Sequence, residues 1–179
     1  RAEEIGTRLA RAGIGGALTG ARQLAQGRIV SRTHFARFLV EQGYARNVRE
    51  VFKRYRVNNK PGYVSGEWAG LEDVLGWIRG AGGVAVLAHP ARYGMSATKL
   101  RRCIGAFREC GGQGMEVVSG SHTADQVSSM ANLCRNEVLL ASCGSDYHGP
   151  ENPWIRLGEL PPFPAGCTPV WESEQWQVH

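Results

Sequence analysis

The spacing of apolar residues predicts that residues 1–60 are helical. Phe35, Phe38 and Leu39 recur at helical spacing and therefore fall on one face. Gly13 ends an earlier amphipathic stretch, and Asn47 is a candidate N-cap because its side chain can accept from the first backbone N–H groups of a helix. The predicted helices span residues 2–12, 33–42 and 48–55, followed by a loop at 58–62.

From residue 71 the pattern alternates between helical periodicity and short apolar runs. The run at 84–88 contains no polar residue, as in strands that are buried on both faces of a sheet. Helices that alternate with buried strands predict right-handed crossovers and a parallel sheet, so the predicted fold class is α/β. The predicted elements are helices at 71–79 and after the candidate N-caps Ser96 and Thr123, strands at 84–88, 115–118 and 138–142, and an extended proline-rich tail at 161–169.

Composition is that of an ordinary globular protein, with 42% hydrophobic and 21% charged residues. No apolar run approaches the roughly 18 to 20 residues that a membrane-spanning helix needs, so we predict no membrane partner. The charge is uneven. Residues 1–60 hold 13 Lys/Arg and 4 Asp/Glu, a balance of +9, whereas residues 61–179 hold 8 and 12, a balance of −4. The basic region either faces a polyanion or is a solvated arginine-rich surface.

Cysteine usage favours a reducing compartment. The 5 cysteines are odd in number and form no Cys-x-x-Cys pair, and several lie within apolar runs such as 138–143. Buried reduced thiols are therefore favoured over a disulfide framework or a zinc site. We predict a cytoplasmic protein.

Residues that can bind metal ions follow the predicted strands. His89 follows the first strand, and Asp146 and His148 follow the third. In parallel α/β folds, ligands bind at the carboxyl ends of the strands. Asp and His two residues apart in an extended segment point the same way, and such ligands suit zinc, manganese or iron. Either feature alone is more often structural, but together, at equivalent strand ends, they indicate a site.

Two further polar residues have open roles. Glu116 interrupts an apolar strand, so either its side chain faces the site or the strand is partly exposed. His122 precedes the helix that Thr123 begins, and it either contacts a substrate or packs within a loop.

The strand-end segments resemble motifs of the PHP (polymerase and histidinol phosphatase) superfamily of metal-dependent phosphoesterases. These segments are LAHPARY at 87–93, GMEVVSGSH at 114–122 and GSDYHGP at 144–150. Within that superfamily the chain is similar to the branch of bacterial 5′→3′ exoribonucleases and nucleoside 3′,5′-bisphosphate phosphatases. Two segments of the basic region share this similarity, IVSRTHFAR at 29–37 and KPGYV at 60–64.

This resemblance implies a distorted (β/α)₇ barrel with a small helical insertion. Residues 1–64 would be the basic insertion that faces phosphate, and residues 65–179 would be the C-terminal part of the barrel with its proline-rich tail. The resemblance also implies an enzyme, a phosphoesterase that hydrolyses phosphoester bonds of RNA or nucleotides. Its partners would be RNA 5′ ends or 3′,5′-bisphosphorylated nucleotides.

The resemblance also assigns site residues. His89, Asp146 and His148 match catalytic metal ligands of a centre that holds two or three divalent ions, Mn, Fe or Zn. Other residues match contacts to the substrate phosphate, which suits Arg as a bidentate fork and Lys as a mobile positive charge. These phosphate contacts are Ser31, Arg32, His34, Lys60, Arg92 and His122.

The phosphate contacts have alternatives. Ser31 is equally suited to N-cap a helix, and Arg32 and Lys60 are suited to a solvated surface. Family members begin with a His-x-His motif on their first strand, whereas no histidine precedes His34 here. We therefore expect a fragment that lacks the N-terminal ligands, has little activity alone and pairs with the missing segment.

Two rival functions stay open. A non-catalytic nucleic-acid-binding module would use the +9 region, and its binding would ignore metal but weaken steeply with salt. A metal-dependent amidohydrolase would also use His and Asp at strand ends, although a basic phosphate-binding segment argues against it.

Overall fold

The computed structural model shows two compact units, which we name the helical unit (Arg1–Trp68) and the α/β unit (Ala69–His179). The loop predicted at 58–62 is described only from Lys60 onward. The division predicted after residue 64, with its assignment of roles, stays a prediction. The structure describes residues 1–25, 27–55, 60–66, 68–149 and 155–176.

The helical unit contains, within its described residues, the four helices α1 (Ala2–Arg11), α2 (Ala17–Leu24), α3 (Arg32–Glu41) and α4 (Val48–Tyr55). Three of these, α1, α3 and α4, match the predicted helices. Asn47 caps α4 as predicted, because its Oδ1 accepts from the backbone N–H of Glu50 at 2.9 Å. Phe35 and Leu39 of α3 are fully buried in the core of the unit, which explains their helical spacing.

The prediction missed α2 because the buried face of this helix consists of small residues. Ala17, Gly20 and Ala21 are buried, and they give no strong apolar periodicity. Gly20 serves close packing, since a Cβ at this position would overlap the ring of Phe38. Small residues thus let α2 lie directly against α3.

The α/β unit has, in its described part, three strands and three α-helices: α5 (Leu71–Gly80), β1 (Val86–Leu87), α6 (Ala97–Glu109), β2 (Gly114–Ser119), α7 (Ala124–Asn136) and β3 (Leu140–Gly144). The strands are parallel in the order β1-β2-β3, which confirms the α/β class. Ser96 and Thr123 accept from backbone N–H groups of α6 and α7, as predicted for N-caps. No helix in the described ranges is long and apolar enough to cross a membrane.

The prediction of a strand at 84–88 buried on both faces is wrong in its extent. Only Val86 and Leu87 pair with β2, and both are half-buried. β1 lies at the edge of the described sheet, where a strand has one neighbour rather than two. The apolar run therefore overstates both the length and the burial of this strand.

β3 begins at Leu140 rather than at the predicted Val138. Val138 and Leu139 instead close α7, because their N–H groups donate to the carbonyls of Arg135 and Cys134 at 3.1 and 3.0 Å. Val138 has a φ of 54° and is 87% exposed. This pair of bonds with a left-handed residue is the Schellman ending of a helix, which in most proteins uses glycine.

The proline-rich tail lies along the outer edge of β3. Ala141 donates its N–H to the carbonyl of Thr168 at 2.8 Å and forms an isolated parallel bridge with Pro169. Phe163 packs against the core of the α/β unit and meets the ring of Trp171 at an angle of 61°. The tail therefore covers the side of β3 that faces away from β2.

Candidate metal and phosphate site

Parallel pairing places the carboxyl ends of the three strands at one edge of the sheet. His89 follows β1, His122 follows β2, and Asp146 follows β3. The register pairs Ser119 at the end of β2 with Gly144 at the end of β3. The predicted site residues of the α/β unit therefore lie on loops at the same edge.

His89 has an unusual backbone and a buried ring nitrogen. Its φ of 32° lies in the left-handed region, which non-glycine residues seldom adopt. Its backbone N–H donates to Oε2 of Glu116 at 2.7 Å, and its ring lies edge-on to Tyr93 with centroids 6.2 Å apart. Nδ1 of His89 is buried without a hydrogen-bond partner among the described residues. A metal ion is one partner to which such a nitrogen can donate its lone pair.

Tyr93 has a role that the sequence did not indicate. Its hydroxyl donates to the carbonyl of Ala88 at 2.8 Å, which ties the 3₁₀ turn Pro90–Arg92 back to the end of β1. Burial, with smaller contributions from Cys103 and Glu116, raises the pKa of the Tyr93 phenol. The hydroxyl therefore stays protonated at neutral pH and keeps donating.

Asp146 and His148 are brought together after β3. Nδ1 of His148 lies 2.7 Å from the backbone carbonyl of Asp146 and 3.6 Å from its Oδ1. A carbonyl can only accept, so this bond assigns the proton of the neutral ring to Nδ1 and the lone pair to Nε2. Metal-binding histidines commonly make such a bond to a carbonyl. The pair is thus arranged in a form that suits metal ligation.

His122 shows the same arrangement after β2. Its Nδ1 lies 3.1 Å from the carbonyl of Val117, which again assigns the lone pair of the neutral ring to Nε2. Nε2 is buried without a hydrogen-bond partner among the described residues. A neutral ring in this orientation accepts rather than donates, so a contact with phosphate requires protonated His122. Its predicted phosphate role stays a prediction.

A complete ion site is not assembled within the described residues, where no three His, Cys, Asp or Glu side chains form a group that could hold a metal ion. The structure joins Asp146 to His148 but does not join both to His89 in one cluster. The donor chemistry nevertheless fits a divalent ion, because the buried Nδ1 of His89 needs a partner. The ligand assignment stays a prediction.

The cysteines are reduced, and two of them have raised pKa values. All five in the chain are free thiols. Burial and the carboxylate of Glu116 raise the pKa of Cys143, and burial is the main cause that raises the pKa of Cys134 to about 12. Both shifts favour the protonated thiol in the absence of a bound metal ion.

In the helical unit, Ser31 and His34 form a local pair at the N-terminus of α3. The backbone N–H of Ser31 donates to Nδ1 of His34 at 3.0 Å. A backbone N–H can only donate, so the proton of the neutral ring lies on Nε2, which is then a donor. This donor, the exposed Ser31 and the positive end of the α3 dipole together suit a phosphate oxygen.

The remaining predicted phosphate contacts are exposed cations. Arg32 begins α3, and Arg92 lies in the turn after His89. Lys60 begins a turn in which the N–H of Tyr63 donates to the carbonyl of Lys60 at 3.0 Å. Exposure suits a ligand contact and a solvated surface equally. The roles of these three residues stay predictions.

Comparisons with known proteins add a second line of evidence. No family model matches the chain. The chain is 46% identical over 179 residues to the 3′,5′-nucleoside bisphosphate phosphatase of Chromobacterium violaceum, an alignment that covers 99% of the chain and 63% of the relative. It is also 46% identical over 172 residues to the 5′-3′ exoribonuclease Rnm of Escherichia coli. That alignment covers 96% of the chain and 58% of the relative. The predicted resemblance is confirmed.

The chain spans about three fifths of the length of these curated relatives. Among solved structures, it matches one described as an amidohydrolase from Chromobacterium violaceum with bound sulfate and no metal, at 46% identity and a TM-score of 0.86. That match covers 95% of this chain and 59% of the other. A protein described as a metal-dependent phosphoesterase from Bifidobacterium adolescentis matches at 24% identity and a TM-score of 0.71, over 89% of this chain and 57% of the other. At that identity the match shows the fold alone.

Proposed function

We propose that this chain is part of a metal-dependent phosphoesterase that hydrolyses phosphoester bonds of nucleotides or RNA. The observation that carries the proposal is the 46% identity across 99% of the chain to a nucleotide phosphatase, together with a similar match to an exoribonuclease. In this proposal the three strands belong to the C-terminal part of a distorted (β/α)₇ barrel. Residues 1–64 are the helical insertion that faces phosphate, and the protein is cytoplasmic.

The proposed metal ligands are His89, Asp146 and His148, in a centre of two or three Mn, Fe or Zn ions. The buried Nδ1 of His89 and the lone pair assigned to Nε2 of His148 support this role. Bound divalent ions supply Lewis-acid stabilisation of charge on phosphoryl oxygens and activation of water. The contribution of the chain is to hold its ligands rigidly, through the bonds from His89 to Glu116 and from His148 to the Asp146 carbonyl.

The proposed role of the helical unit is to hold a phosphate of the substrate. Nε2–H of His34, the hydroxyl of Ser31 and the guanidinium of Arg32 are all donors, and Lys60 adds positive charge. A substrate fixed by one phosphate presents its neighbouring phosphoester in a defined position, which lowers the entropic part of the barrier. Arg92 and His122 of the α/β unit are proposed as further phosphate contacts.

This arrangement suits two substrates that share one chemistry. The 5′ end of an RNA and a 3′,5′-bisphosphorylated nucleotide each carry a phosphate one nucleoside away from a second phosphoester. The names of the relatives divide between these substrates, and the shared element is the pair of phosphates.

The amidohydrolase alternative has one observation behind it, the description of the solved relative. The same structure holds a sulfate, which has the tetrahedral shape and charge of a phosphate. An exposed basic segment also suits a phosphate better than an amide. We therefore favour the phosphoesterase.

The test is a substrate comparison with the full-length protein and Mn²⁺. We expect phosphate release from adenosine 3′,5′-bisphosphate or mononucleotide release from 5′-phosphorylated RNA, and loss of both after chelation. A 5′-hydroxyl RNA and an N-acetylated amino acid serve as controls. RNA binding that ignores metal, without turnover, would instead support a nucleic-acid-binding module, and turnover of the amide alone would support an amidohydrolase.

A further inference from the structure

Glu116 is a buried carboxylate in the middle of the candidate site. It lies on β2, the central strand of the described sheet, and is only 8% exposed. No Lys or Arg forms an ion pair with it among the described residues. Burying an unpaired carboxylate opposes folding, so a residue that only filled space here would be expected to be apolar.

The backbone of β2 is irregular at this residue. Glu116 is opposite Ser142, but Val118 is opposite Cys143, so Val117 is an extra residue in β2. Such a bulge redirects the side chains beside it and is common next to functional sites. The extra residue directly follows Glu116.

On one side, Glu116 contacts the strand end that carries His89. Its Oε2 accepts from the backbone N–H of His89 at 2.7 Å, a short distance typical of a charged acceptor. The bond holds the residue whose φ is 32°. An unfavourable backbone conformation persists only where surrounding contacts fix it, and this bond is one of those contacts.

On the other side, Glu116 lies beside the strand end that leads to Asp146. A Cβ added to Gly144 would lie 3.2 Å from Oε1 of Glu116, so the carboxylate occupies the space that a side chain on the last residue of β3 would need. One carboxylate therefore bonds to the backbone of His89 and lies next to the strand end that leads to the other proposed ligands.

We propose that Glu116 is a positioning residue, which fixes His89 through its backbone N–H and spaces the end of β1 from the end of β3. This inference rests on the proposed function, because it treats His89 as a metal ligand. Glu116 acts through His89 rather than on the substrate. Its acceptor oxygen, more than its charge, is the property that matters.

The first measurement is Mn²⁺ affinity by calorimetry in the full-length protein. Glu116→Leu removes the acceptor, and we expect about a 10–100-fold loss of affinity, as for other groups that orient metal ligands. Glu116→Gln keeps an acceptor oxygen of the same reach, and we expect it to restore most of the affinity. The matched control is Ile104→Val, which perturbs the buried core of the same unit without removing a hydrogen-bond acceptor.

The second measurement is the coupling between Glu116 and His89. In a His89→Ala background, adding Glu116→Leu should change Mn²⁺ affinity by no more than about twofold, because the ligand that Glu116 positions is already gone. A loss of the same size in both backgrounds would mean that Glu116 binds the ion itself or supports the fold generally, and would overturn the inference.

The third measurement needs neither metal nor turnover. In NMR spectra of the metal-free protein, the His89 amide proton should resonate downfield in the wild type and in Glu116→Gln, and move upfield in Glu116→Leu. If the wild type binds Mn²⁺ and the Glu116→Leu variant binds it with the same affinity, this inference is overturned and the proposed function is not. A wild-type protein that binds no Mn²⁺ would overturn the proposed function and this inference with it.

Discussion

The two units differ in which residues adopt a left-handed backbone. In the described part of the helical unit, every residue with a positive φ is a glycine, as at Gly43 with 75°. The α/β unit also uses glycines, but it places His89, Val138 and Asp146 at 32°, 54° and 55°. A non-glycine residue in this region costs about 1–2 kcal/mol.

This difference separates positions where the chain only turns from positions whose side chains we propose as metal ligands. Gly43 ends α3, and nothing but backbone geometry is required there. His89 and Asp146 follow β1 and β3, where glycine could not supply a ligand. Val138 ends α7 with an exposed side chain, and nothing in the structure explains why it is not glycine. An unfavourable backbone therefore coincides with the candidate site at two of three positions.

The largest expected effect tests whether Asp146 is kept for its side chain. Asp146→Gly removes the carboxylate but suits a φ of 55°. We expect Mn²⁺ affinity to fall at least about 100-fold, since a direct ligand should matter no less than the groups that orient ligands. The free energy of unfolding of the metal-free protein should be retained. Calorimetric titration with Mn²⁺ and denaturant titration measure the two quantities, and an unchanged Mn²⁺ affinity would show that Asp146 is not a ligand.

The next effect concerns Arg32, a proposed phosphate contact that lies in ordinary helical backbone. Arg32→Ala should reduce the preference for 5′-phosphorylated over 5′-hydroxyl oligonucleotides by about 1.5–3 kcal/mol, the contribution of a hydrogen bond to a charged group. Competition kinetics with the two RNAs measures this preference. Arg49→Ala, which removes an exposed charge from α4, is the matched control. If both variants lose the same amount, the basic surface acts only through its overall charge.

The smallest effect compares the two helix endings directly. Val138→Gly should stabilise the protein by about 0.5–1 kcal/mol, because relief of the left-handed backbone exceeds the entropy that glycine adds to the unfolded chain. Gly43→Ala should destabilise it by about 0.5–1 kcal/mol, because no atom within 4 Å would obstruct the added Cβ and the cost of the left-handed φ is partly offset by the entropy that alanine removes from the unfolded chain. Urea unfolding measures both. A destabilised Val138→Gly variant would mean that the Val138 side chain has a contact in solution that supports the fold.

The sequence predicts those elements whose apolar spacing reflects one buried face. Phe35 and Leu39 define α3 because both are fully buried in the core of the helical unit, and Ser96 and Thr123 mark helix starts through bonds to nearby residues. α2 was not predictable in this way, because its packing depends on the absence of a side chain at Gly20.

The candidate site was predictable only as far as topology determines it. Parallel strands require that His89 and Asp146 emerge at one edge, so their placement follows from the order of elements. The bond from His89 to Glu116 joins residues far apart in sequence, and the proton positions of His122 and His148 depend on which carbonyl each ring meets. No spacing rule contains that information.

The bridge between Ala141 and Pro169 also limits what can associate with the sheet. An exposed strand edge offers N–H and carbonyl groups to any other extended chain, and this is a common route to aggregation. Here the tail takes the N–H of Ala141 through Thr168, and the next residue is a proline, which has no N–H to offer in turn. The tail thus limits extension of the sheet, because a further strand that paired with it would lack a backbone hydrogen bond at Pro169.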